Sequence, residues 1–103
     1  MSENLKIHIS EEPEEKIPRL LKRLDEIKRR IYSGEECDRE ELEGIAKDFR
    51  EARAELRLSI NVDATVLELE GRLMERKGNY EEAKSKYLEA AEKLVQWETI
   101  QKL

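Results

Sequence analysis

Apolar residues return at steps of three and four over long stretches of this chain. Ile17, Leu20, Leu21, Leu24, Ile27 and Ile31 form one run, and Leu42, Ile45, Ala46, Phe49, Ala52, Leu56 and Ile60 form a second. That spacing lines up residues on one face of a helix and scatters them over both faces of a strand, so it selects helices. Only two prolines and four glycines interrupt the 103 residues, which favours long helices over many short elements. Aromatic residues make up 5% of the chain, too few for a typical sheet or an aromatic-lined cavity.

The punctuation sets the expected boundaries. Ser10, followed by Glu11, Glu12 and Pro13, reads as a helix start, with acids and a proline in the first turn. Pro18 falls inside the first run, and Ser33 with Gly34 ends it. Asp38 with Glu41, and Asn79 with Glu82, have capping-box spacing. Asn61 and Asp63 offer a shallower break, and Gly78 with Asn79 a tight corner. The sequence therefore predicts an all-α fold of four antiparallel helices arranged as hairpins, over residues 12–32, 38–60, 62–77 and 79–101. Residues 12–103 are read as a single domain. Residues 1–11 carry the alternation Leu5, Ile7, Ile9, which has strand period but no strand to pair with, and are read as an arm. Tyr80, Ala83, Tyr87, Ala90, Leu94 and Trp97 are the expected inner positions of the last helix.

Composition narrows the class of function. Net charge is −5 and the sequence pI is about 5.1, which argues against nucleic acid as the main partner, because phosphate binding needs a clustered positive field. Lys22, Arg23, Lys28, Arg29 and Arg30 cluster locally, but toward a helix C-terminus, where cations suit the dipole. No apolar stretch approaches the roughly 20 residues that cross a bilayer, and the first residues lack the pattern of a secretion signal. A cytoplasmic protein with no membrane partner is the expectation. Charged residues reach 44% while asparagine and glutamine are scarce, a bias shared with proteins from hot environments.

From Ala64 to Trp97 the chain resembles one tetratricopeptide repeat, a 34-residue helical hairpin. Gly71, Ala83, Tyr87 and Ala90 match the unit's small, small, aromatic and small positions, and Gly78 and Tyr80 sit at its turn. Leu67, Glu70, Met74 and Val95 stand where the family has tryptophan, leucine, tyrosine and proline. Ile45, Phe49 and Ala52 repeat the spacing of Ala83, Tyr87 and Ala90, which makes the first two helices a candidate degenerate unit. The resemblance implies that Gly71, Ala83, Tyr87 and Ala90 pack the hairpin. It also implies that Thr65, Glu68, Arg72, Glu75 and Arg76 line a groove for a peptide or helix of another protein. These residues do not reproduce the lysine and asparagine carboxylate clamp of the family's chaperone-tail binders. Gly78, Tyr80, Ala83 and Tyr87 are also similar to the microtubule-interacting-and-transport domain, although there the matching hairpin opens the bundle and here it comes last.

Catalytic constellations are not legible. His8 is the only histidine and Cys37 the only cysteine. His8 falls in the arm with no fixed acid nearby, and Cys37 has no histidine base, so no catalytic residue, metal site or cofactor is expected. Two function classes remain. One is a small non-enzymatic adaptor or scaffold that binds another protein. The other is a self-associating structural or regulatory module, for which Leu88 and Val95, pointing away from the main stripe of the last helix, are the candidate contacts. Arg23, Arg30, Arg72 and Arg76 would receive an acidic peptide if the first and third helices share a concave face.

Overall fold

A computed structural model describes residues 13–102, and the expected arm at 1–11 lies outside them. Four helices follow in order: α1 (Pro13–Tyr32), α2 (Arg39–Ala52), α3 (Leu56–Arg76) and α4 (Tyr80–Gln101), with no strand among the described residues. The all-helical reading holds, and the boundaries agree within about one residue except at the end of α2 and the start of α3.

Two of the three corners are built from glycine. Gly34 sits at φ +88, and its neighbours close the end of α1 through Gly34 N–H to Ile31 O and Glu35 N–H to Arg30 O. Gly78, at φ +83, does the same after α3, with Asn79 N–H donating to Met74 O. Both are left-handed C-caps, which satisfy orphan carbonyls at little steric cost when the residue is glycine.

The third corner differs from expectation. The spacing predicts a second helix running to residue 60 with a break at 61–63, yet α2 ends at Ala52 and Asn61 to Asp63 lie inside α3. Arg53 makes the corner in the left-handed conformation, φ 54 and ψ 47, with its N–H donating to Arg50 O. Leu56 and Ile60 therefore belong to the helix after the break. The expected capping boxes also do not close: neither Asp38 nor Asn79 makes a side-chain cap bond. Their acids are drawn elsewhere, Glu41 toward Arg30 and Glu82 to Arg39.

The core is a seam between the first three helices. Leu20, Leu24, Ile27 and Ile31 from α1 meet Leu42, Ile45 and Phe49 from α2 and Val62, Val66, Leu69 and Leu73 from α3, all buried. Each such side chain stabilises the fold by about 1.5–3 kcal/mol on burial. The seam is asymmetric, because among the described residues α4 approaches only α3 by backbone and buries just two hydrophobic side chains, Ala83 and Ala90. What α4 lacks in apolar area it recovers by proximity. The Tyr87 ring lies against Gly71, and Ala83 and Ala90 give the helices no bulk to separate them. Tyr80 and Leu94, expected to face inward, are instead 68% and 47% exposed. The buried line follows Ala83 and Ala90, with Trp97 half-buried beyond them, and a face that narrow leaves Tyr80 and Leu94 outside.

Candidate protein-contact surface

Thr65, Glu68, Arg72, Glu75 and Arg76 share one face of α3, as their spacing requires, and this is the face not used for the core. The strip runs between two tyrosines, Tyr32 from the end of α1 and Tyr87 from α4. Tyr32 donates to Glu68 Oε2 at 3.0 Å, and Arg72 Nε donates to the same oxygen at 3.2 Å. The Arg72 guanidinium carbon lies 4.4 Å from the centroid of the Tyr32 ring, a stacked cation–π arrangement. On the other flank Tyr87 donates to Glu75 Oε1 at 2.8 Å. Partial burial, reinforced by this bond to a carboxylate, pushes the Tyr87 phenol up to about 12. Tyr32 is shifted upward too, by burial and then by its bond to Glu68.

The remaining expected residues are tied down locally. Thr65 Oγ1 donates to Asn61 O at 3.0 Å, and Arg76 Nη1 donates to Glu35 O at 2.8 Å. Arg30 does not join Arg72. It turns toward the α1–α2 connection, where its Nη2 lies 3.2 Å from Cys37 Sγ and 4.0 Å from Glu41 Oε1. Arg30, Arg76 and Cys37 instead line a separate hollow of about 430 Å³. Of the anticipated row of arginines, Arg72 is thus separated from Arg30 and Arg76.

A second surface adjoins the strip across Tyr87. Leu88 and Val95, expected to point outward, are 57% and 63% exposed. With Leu94 and the exposed Ala91 they form a stripe along α4, bounded by Lys84 and Glu98. At 100° per residue these six side chains occupy an arc of about 120°. Tyr80, Lys84, Tyr87 and Leu88 also border a shallow hollow of about 320 Å³ with Glu75 of α3, which joins the polar strip to the apolar stripe. Nearer the end of α4, Val95 and Ile100 line a largely apolar groove with Leu56 and Ile60.

One constellation was not legible beforehand. Glu70, where the repeat resemblance has leucine, is 4% exposed and sits between two cations. Arg39 Nε lies 3.2 Å from its Oε2, and Lys86 Nζ lies 3.7 Å from its Oε1. Arg39 also donates to Glu82 Oε2 at 2.7 Å and lies 3.1 Å from Glu43. This network crosses a cleft of about 400 Å³ between α2 and α4 and ties both to α3. An acid at an inward-facing helical position was the available signal. Its partner, Arg39, is 31 residues away in sequence.

No group of three or more His, Cys, Asp or Glu side chains among the described residues is placed to hold a metal ion. No helix among them is long and apolar enough to cross a membrane. Comparison with protein-family models, curated proteins and solved structures finds no match.

Proposed function

We propose that this chain is a non-enzymatic protein-interaction module, a small adaptor or scaffold that binds a helix or peptide of another polypeptide. The observation that carries this reading is the outer stripe of α4. The first three helices turn most of their large apolar residues inward, with Leu21 and Leu56 outside, whereas Leu88, Leu94 and Val95 of α4 stand exposed together along one line. Contiguous exposed apolar surface with a polar rim is the usual mark of a protein-contact site. The polar strip Thr65, Glu68, Arg72, Glu75 and Arg76 adjoins it and supplies charges of both signs for orientation. The likeness of residues 64–97 to a tetratricopeptide unit supports the same class of function, and the acidic, charge-rich composition suits work in the cytoplasm.

The test compares wild type with Leu88→Asp/Val95→Asp as baits in a native extract, with retained proteins identified by mass spectrometry. A defined set of proteins held by wild type and lost from the variant is expected. Equal retention by both baits, or turnover of a small molecule dependent on the chain, would contradict the reading.

A further inference from the structure

We propose that the occupant of the α4 stripe is a second copy of this chain, the two α4 helices lying antiparallel about a twofold axis at Ala91. This rests on reading the stripe as a protein-contact surface and adds the identity of what covers it. A twofold interface must be self-complementary, each residue meeting the one equally far on the other side of the axis. The sequence of α4 satisfies that condition. Lys84 lies seven residues before Ala91 and Glu98 seven after; Leu88 lies three before and Leu94 three after. Tyr87 and Val95 are likewise four residues to either side. An antiparallel pair therefore sets leucine on leucine and aromatic on valine, with Lys84 facing the partner's Glu98 twice.

The charges select this orientation. Lys84 and Glu98 are both exposed, and neither has an ion-pair partner among the described residues. A parallel pairing would set lysine against lysine and glutamate against glutamate, while the antiparallel one neutralises both. Ala91 at the axis leaves room for the two backbones to approach to the 8–10 Å typical of packed helices. Among the described residues the lane is open along its length, since α4 touches only α3 by backbone. A few apolar side chains and two rim ion pairs make a modest interface, with a dissociation constant of roughly 1–100 μM.

Sedimentation of the full chain from about 1 to 300 μM tests this range. A monomer–dimer equilibrium is expected, abolished by Leu88→Asp. Lys84→Glu or Glu98→Lys alone should weaken it by about tenfold, and the two together should restore it to within about threefold. In a Cys37→Ser background, Ala91→Cys should cross-link between copies on mild oxidation much faster than Glu92→Cys, which lies off the stripe. A strict monomer at the highest concentration, a dimer indifferent to Leu88→Asp, failure of the charge swap to restore pairing, or equal cross-linking at positions 91 and 92 would each overturn the proposal. A monomer that still retains another protein through Leu88 overturns self-pairing and leaves the interaction-module reading in place.

Discussion

A β-carbon added to Gly71 would come within 2.7 Å of Tyr87 Cε1 and 2.9 Å of its Cδ1. The α3–α4 hairpin is closed at this contact, so Gly71→Ala must push the ring away and strain its bond to Glu75. Overpacking of this kind costs about 1–3 kcal/mol. Gly44→Ala is the matched control, because none of the described residues lies within 4 Å of the added carbon and Gly44 sits inside α2. That substitution should stabilise by about 0.5–1 kcal/mol. Chemical denaturation of both variants gives the two signs.

Arg39→Ala should be more damaging than Glu70→Leu. Removing the arginine leaves the buried Glu70 carboxylate with Lys86 as its remaining partner among the described residues, and stripping a buried carboxylate of its main cation costs up to about 3 kcal/mol. Removing the acid leaves Arg39 paired with Glu82 and Glu43 and fills an inward position with apolar volume, a change expected to fall within about 1 kcal/mol of neutral. Urea midpoints order the two variants.

Much of the fold was legible in the chain itself. The inward positions Leu20, Leu24, Ile27, Ile31, Leu42, Ile45 and Phe49 follow from period alone, and Gly34 and Gly78 announce their corners. The break after Ala52 was hidden because an arginine adopts the left-handed turn there, while Asn61 and Asp63, which look like caps, are carried inside α3 by the tertiary contacts of Val62 and Val66. The strip Thr65, Glu68, Arg72, Glu75 and Arg76 was legible as one helical face. The separation of Arg30 and Arg76 from Arg72, through the bonds of Arg76 to Glu35 and of Arg30 to Cys37, depends on loop geometry that spacing does not encode. Glu70 illustrates the same limit, since its burial is tolerated only because α2 delivers Arg39.

The corner at Arg53 provides a third prediction. A non-glycine residue in the left-handed region carries a steric cost of about 1–2 kcal/mol, partly offset in glycine by greater unfolded-state freedom. Arg53→Gly should stabilise the protein by about 0.5–1 kcal/mol, and Arg53→Val should destabilise it. Thermal melts of the two variants bracket the parent.

Tyr87 carries the pH dependence. Its folded pKa, raised to about 12, exceeds the ordinary value of about 10, so the folded state holds this proton more tightly than the unfolded state does. The resulting stability is fully present below pH 10 and is lost as pH rises toward 12. Wild type should therefore lose stability over that window faster than Tyr87→Phe. In the absorbance titration, the difference between the two proteins should show a phenol ionising near 12. A difference midpoint at the ordinary value would mean that Tyr87 is neither buried nor bonded to Glu75.

The most direct measurement concerns whether Leu88 and Val95 lie outside the core. Leu88→Asp/Val95→Asp, melted by circular dichroism at a concentration low enough to hold both proteins monomeric, should unfold within about 3 °C of the parent, as surface substitutions do, while losing its association at high concentration. A melting temperature lower by about 10 °C or more, or association unchanged from the parent, would place those side chains in the interior or the contact surface elsewhere.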